Sequence, residues 1–85
     1  MFKVLVVDDE EAIRDLIEII LKKENYIACM AENGKTALLK FKSFNPDIVL
    51  LDIMLPDING HELLKTINSL KKTPVILRSL RRNGS

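Results

Sequence analysis

Two short apolar runs, VLVV at residues 4–7 and IVLL at residues 48–51, each stop at an aspartate. That repeated pattern constrains the fold more than any other feature of the chain. Continuous aliphatic and β-branched runs of this length suit strands covered on both faces, since half-exposed strands alternate apolar and polar residues. Strands covered on both faces need helices, and the intervening sequence has helical spacing. Ala12, Ile13, Leu16, Ile17, Ile20 and Leu21 fall on one side of a helix, with Arg14, Asp15, Glu18, Lys22 and Lys23 on the other. This helix is expected to open at Asp8 or Asp9 and to end near Asn25. Residues 26–31 read as a second strand. The segment ENGK at 32–35 reads as a turn, because Asn33 and Gly34 both tolerate unusual backbone angles. A second helix carries Ala37, Leu38, Phe41 and Phe44 on its buried stripe and is stopped by Pro46. After Asp52, the turn-rich loop IMLPDINGHE leads into a third helix with the stripe Leu63, Leu64, Ile67 and Leu70, and residues 75–77 begin a fourth strand.

The order β-α-β-α-β-α-β implies a parallel sheet covered on both faces, with right-handed crossovers. By analogy with the common doubly wound arrangement, the chain reverses after the second strand and the sheet order is 2-1-3-4. Strands one and three are then neighbours, about 4.8 Å apart, and Asp8, Asp9 and Asp52 meet at their C-terminal ends. Ligands bind at this switch point in open α/β sheets. Crowded carboxylates repel unless a cation intervenes, and an oxygen-rich site suits Mg²⁺, which commonly bridges carboxylates and phosphate. The chemistry suggested is phosphoryl transfer. Aspartate is equally at home capping helices and ending strands, so spacing alone leaves both readings open.

Composition narrows the class. At 47% hydrophobic and 29% charged residues the chain is too apolar and too mixed in sign for disorder. A net charge of +1 gives no domain-wide attraction to nucleic acid or membrane. The positive charge is concentrated late, in Lys71, Lys72, Arg78, Arg81 and Arg82, which reads as a solvated basic tail, with a partner-binding patch as the alternative. Cys29 is the single cysteine, so no intrachain disulfide or thiolate cluster can form; within its apolar run it reads as a small hydrophobe. The N-terminus has neither the length nor the pattern of a secretory signal or a membrane span, and a cytoplasmic location is expected. His61 has no His or Cys companion and reads as an exposed helix residue.

The stretches VLVVDDE, PDIVLLDIMLPDINGHELL and TPVIL, in register and at fitting separations, resemble the receiver domain of two-component response regulators. The resemblance implies a flavodoxin-like doubly wound parallel sheet. It also implies that Asp52 is a phosphoacceptor taking the phosphoryl group from a phosphohistidine on a sensor histidine kinase. Asp8, Asp9, Asp52 and the Met54 carbonyl would bind Mg²⁺, Pro56 and Gly60 would shape the loop, and Ser79 would donate a hydrogen bond to the phosphoryl group. Such a module receives a phosphoryl group rather than turning over a separate substrate. A phosphatase with an aspartate nucleophile commonly needs a second acid two residues on, where this chain has Met54.

The sequence departs from the pattern near its end. Arg78 stands where the family is usually apolar and Leu80 where it is usually small, so the strand is expected to fray or exit to solvent at Arg78, since an unpaired guanidinium is costly to bury. Residues 1–77 read as a partial receiver domain and 78–85 as a basic tail. The expected fold is incomplete, lacking the fourth helix, fifth strand, its Lys-Pro pair and the fifth helix, with switching impaired. An exposed fourth strand predicts a homo-oligomer formed through the sheet edge. A phosphorylation-independent interaction module, or a non-functional fragment, is the alternative.

Overall fold

The computed structural model describes residues 1–78. Its elements are β1 (Lys3–Val7), α1 (Glu11–Lys23), β2 (Ile27–Ala31), α2 (Gly34–Phe44), β3 (Ile48–Asp52), α3 (Gly60–Leu70) and β4 (Val75–Arg78). The strands form one parallel sheet in the order β2-β1-β3-β4. The expected topology is therefore present, and β1 and β3 lie side by side with Val7 opposite Leu51.

Alternation along the central strands divides the core in two. Leu5, Val7, Val49 and Leu51 point to the face carrying α2 and α3, where Ala31, Ala37, Phe41, Leu63 and Ile67 close the larger cluster. Cys29 packs at its margin, in the structural role expected of it. Val4 and Val6 point the other way, toward Leu21 of α1, with Ile17, Ala28, Met30, Ile48 and Leu50 around them. Among the described residues, one helix covers this second face and two cover the first. Two apolar stripes are therefore narrower than the spacing suggests. Leu16 and Ile20 of α1 are exposed, as is Ile19, because only the Ile17–Leu21 side of the helix meets the sheet. Leu70, at the last turn of α3, is exposed as well.

The helix starts also differ from expectation. The N-cap of α1 is Glu10, with no side-chain cap bond, and not Asp8 or Asp9. Asp8 instead accepts the Glu10 N–H on Oδ1 at 2.7 Å, which directs the chain into the helix from two residues upstream. Asn33 caps α2 by accepting from the Thr36 N–H at 2.8 Å, in extended backbone at φ −155°. Gly34 needs no unusual angle; its constraint is space, because a Cβ there would lie 2.2 Å from Ile58 Cγ2. Among the described residues, the non-glycine left-handed positions are Asn25 and Asn45, φ 64° and 52°, which follow α1 and α2. Asparagine tolerates that conformation better than most residues.

Candidate functional site: an acidic pocket at the sheet's C-terminal end

The alternation that fills the α1 face with Val6 and Leu50 places Asp8 and Asp52 on the same face two residues later. The ladder supports this geometry past β1, since the Asp8 N–H donates to the Ala31 carbonyl at 3.0 Å. Asp8 and Asp52 are 1% and 2% exposed, rare for carboxylates unless they are partnered.

Arg78 is one of the partners, contrary to the expectation that the strand frays there. Val75 and Leu77 pack toward α2 and α3, so Ile76 and Arg78 fall on the α1 face, and Arg78 is in register with Asp52. The Arg78 carbonyl accepts the Ile53 N–H at 3.1 Å, keeping β4 paired to its last described residue. The guanidinium reaches past β3 to Asp8, where Nη2 donates to Oδ2 in an ion pair 15% and 2% exposed. Burial is tolerated because the charge is paired, which the expectation of an unpaired guanidinium did not consider. Arg78 is thus part of the pocket rather than of a solvated tail. Arg14 adds a second contact, donating from Nη1 to the Asp8 carbonyl at 2.6 Å.

The carboxylates whose oxygens converge to within 4.8 Å of one another, among the described residues, are those of Asp8, Asp9 and Glu10. Asp9 and Glu10 are exposed, at the rim of the pocket. Asp52 stands one strand away, outside that group, and meets Met54 through the Met54 N–H, which donates to Oδ1 at 3.1 Å. Neighbouring ligand oxygens on Mg²⁺ lie about 2.9 Å apart, so a group whose oxygens lie within 4.8 Å of one another would draw together to hold one. The donors are hard oxygens and the buried carboxylate already attracts a cation, Arg78, so the residues fit the ion. Ser79 lies outside the described residues, as do Leu80, Arg81 and Arg82.

The loop at residues 53–59 is tied at three points. Met54 and Asn59 form an antiparallel bridge, and Asn59 caps α3 by accepting the His61 N–H at 2.7 Å. His61 itself is exposed, as expected. The Gly60 N–H donates to the Ile53 carbonyl at 2.7 Å, bringing the two backbones so close that a Cβ on Gly60 would sit 2.6 Å from Ile53 Cα. The third tie is Asp57, whose carboxylate accepts from the N–H groups of Gly34 at 2.8 Å and Lys35 at 3.0 Å. These amides open α2, so the Asp57 side chain binds the loop to that helix's positive end. The Gly34 amide foremost, with that of Lys35, holds the Asp57 carboxyl below its ordinary range against the opposing effect of burial.

Three features were missed in the sequence. Glu10 as a neighbour of the acidic pair was legible in DDE. The inward side of Arg78 was legible from its two-residue offset to Ile76. No local signal marked Asp57 as the partner of residues more than twenty positions earlier.

The response regulator receiver domain pattern matches residues 4–84, and the chain belongs to that family. It is 45% identical over 75 residues, 88% of its length, to the transcriptional regulatory protein ResD of Bacillus subtilis. It is 38% identical over 81 residues to the sensory transduction protein RegX3 of Mycolicibacterium smegmatis. These matches span 31% and 36% of the relatives' lengths, so the chain spans about a third of each. Among solved structures, the response regulator TrrA of Thermotoga maritima, in complex with Mg²⁺-BeF, superposes with a TM-score of 0.89 at 45% identity, covering 95% of this chain and 71% of TrrA. TrrA in complex with the histidine kinase ThkA matches at TM-score 0.86 and 43% identity, covering 100% of this chain and 75% of that one. No helix among the described residues is long and apolar enough to cross a membrane.

Proposed function

We propose that this receiver domain accepts a phosphoryl group at Asp52 from the phosphohistidine of a sensor histidine kinase, in the cytoplasm, with Mg²⁺ as cofactor. The observation that carries the reading is the burial of Asp8 and Asp52 side by side on one face, at the C-terminal ends of adjacent strands. The complexes of TrrA with Mg²⁺-BeF and with ThkA support it by family relationship. Asp8 and Asp9 would hold the ion, with Glu10 at the rim and Asp52 and the Met54 carbonyl completing the protein's share. Bound Mg²⁺ supplies neutralisation of the charge on the transferring phosphoryl oxygens.

The chain's own contribution is position. The Met54 N–H orients the Asp52 carboxylate, and the Gly60–Ile53 contact holds the loop that carries it. One Asp52 carboxylate oxygen forms the new P–O bond while the kinase P–N bond breaks, its electron pair leaving with the imidazole nitrogen. The product is an acyl phosphate. A carboxylate is a weak nucleophile, so alignment and charge neutralisation carry most of the acceleration. The protein acts as phosphoacceptor and not as a turnover enzyme, and neither nucleic acid nor membrane is required as its partner.

With Mg²⁺ and a small phosphoramidate donor, the protein should gain one phosphoryl group in intact-mass analysis and Asp52→Asn should not. Equal labelling of both would refute the assignment. The ion pair of Arg78 with Asp8 favours a second reading, an interaction module that works without phosphorylation. That reading predicts no localised NMR shifts at Asp8, Asp9 and Asp52 on Mg²⁺ titration.

A further inference from the structure

We propose that Arg78 is a built-in counter-cation of the acidic pocket, which competes with Mg²⁺ for Asp8 and so sets how readily the site is loaded. The inference rests on the Mg²⁺ reading above and concerns a residue to which that reading assigns no role.

Three observations combine. First, Arg78 is paired in the sheet, in register with Asp52, so the ladder fixes its position. Second, Nη2 binds Oδ2 of Asp8, the most buried carboxylate of the group, while Oδ1 is taken by the Glu10 N–H. The guanidinium thus uses the Asp8 oxygen that is not engaged in shaping the chain, the one a metal would need. Third, Arg78 Nε is buried without a hydrogen-bond partner among the described residues. A buried donor left unmade is unfavourable, so this seat satisfies the carboxylate better than it satisfies the arginine.

The arrangement has the properties of a displaceable occupant. Removing the cation from Asp8 without replacement would leave a buried, uncompensated carboxylate, which is strongly unfavourable. Arrival of Mg²⁺ would supply the replacement charge and free Arg78 from Asp8. Metal binding and Arg78 seating are then mutually exclusive on one oxygen. The apparent affinity for Mg²⁺ is reduced by the fraction of molecules in which Arg78 is seated, and by linkage Mg²⁺ weakens the Arg78–Asp8 contact by the same factor.

The test has two arms. In metal-free buffer, unfolding of Asp8→Asn, Arg78→Leu and the double variant should be non-additive by at least about twofold in the unfolding equilibrium constant, as for residues in direct contact. Additivity would overturn the pairing itself, whether or not the protein binds metal. In the second arm, Mg²⁺ titrations of wild type and Arg78→Leu are followed by the amide shifts of Asp8 and Asp9. The variant should bind Mg²⁺ about tenfold more tightly, within the span usual for coupled sites. Equal or weaker binding by the variant, with wild type binding normally, would overturn competition and leave the metal reading intact. Absence of binding by both would overturn the metal reading and the competition with it. Arg78→Gln, which keeps a donor and drops the charge, serves in both arms where Arg78→Leu does not fold.

Discussion

Replacing Gly60 with alanine tests whether the loop after the phosphoacceptor is held by backbone contact. The added Cβ would lie 2.6 Å from Ile53 Cα, 2.8 Å from the Asp52 carbonyl oxygen and 3.0 Å from that of Ile53. All three are main-chain atoms, and the closest would have to retreat by about 0.8 Å to reach ordinary contact at 3.4 Å. The Gly60 N–H bond to Ile53, 2.7 Å long, lies along the same line of approach and would lengthen. Overpacking of this kind costs about 1–3 kcal/mol. Alanine at the first position of α3 would otherwise gain about 0.4–1 kcal/mol by narrowing the unfolded ensemble, so the net loss is about 1–2 kcal/mol. For a domain of this size that lowers Tm by roughly 5–15 °C, measurable by circular dichroism. Gly34→Ala is the control. Its Cβ meets the side-chain atom Ile58 Cγ2, so Ile58→Ala should relieve most of that loss, whereas no side-chain truncation should rescue Gly60→Ala. Wild-type stability in Gly60→Ala would refute the argument that main-chain contact requires glycine there.

Two further outcomes are expected beside those for Asp52 and Arg78. Asp57→Asn keeps an acceptor for the α2 amides and loses the charge, at an expected cost of about 0.5 kcal/mol for an exposed, screened group. Because the folded-state pKa is depressed, that contribution is present above the ordinary value of 3.8 and disappears as the pH falls through the folded value. Urea denaturation of the pair should therefore differ by a constant amount at neutral pH and converge only in acid, below the ordinary value of 3.8; a difference that grew in acid would refute the sign. Ile76, 51% exposed on β4, the edge strand among the described residues, is expected to mediate concentration-dependent self-association. Sedimentation velocity should show a dimer that Ile76→Lys abolishes, and a single monomeric boundary for wild type across the concentration series would refute it.

How far the fold was legible follows from the range over which each determinant acts. The VLVV and IVLL runs marked two central strands because a strand covered on both faces has no polar alternation to obscure it. Helical spacing located the three helices but overestimated the buried width of α1. Which flank of an amphipathic helix meets the sheet depends on what else covers that face, and Leu16, Ile19 and Ile20 find no cover among the described residues. Residue type points to Asp8 or Asp9 as the cap of α1, whereas the cap is Glu10. The buried side chain of Asp8 instead shapes the entry to α1 from two residues upstream.

The candidate site divides along the same line. Local sequence was enough to place Asp8, Asp9 and Asp52 at strand ends and to mark the loop carrying Met54, Pro56 and Gly60, because strand termini and turns are encoded within a few residues. Local sequence alone presents Arg78 as a charge too costly to bury. Its environment is supplied by Asp8, seventy residues earlier, and β1, β3 and β4 must be laid in order before the pair exists. The tie from Asp57 to the start of α2 likewise joins segments that only the packed sheet brings together. By itself the sequence determined the strand and helix order and the identities of the acidic residues, through periodicity and turn chemistry. Only the tertiary structure decided which charges meet, because an ion pair depends on distance in space and a strand's register sets that distance.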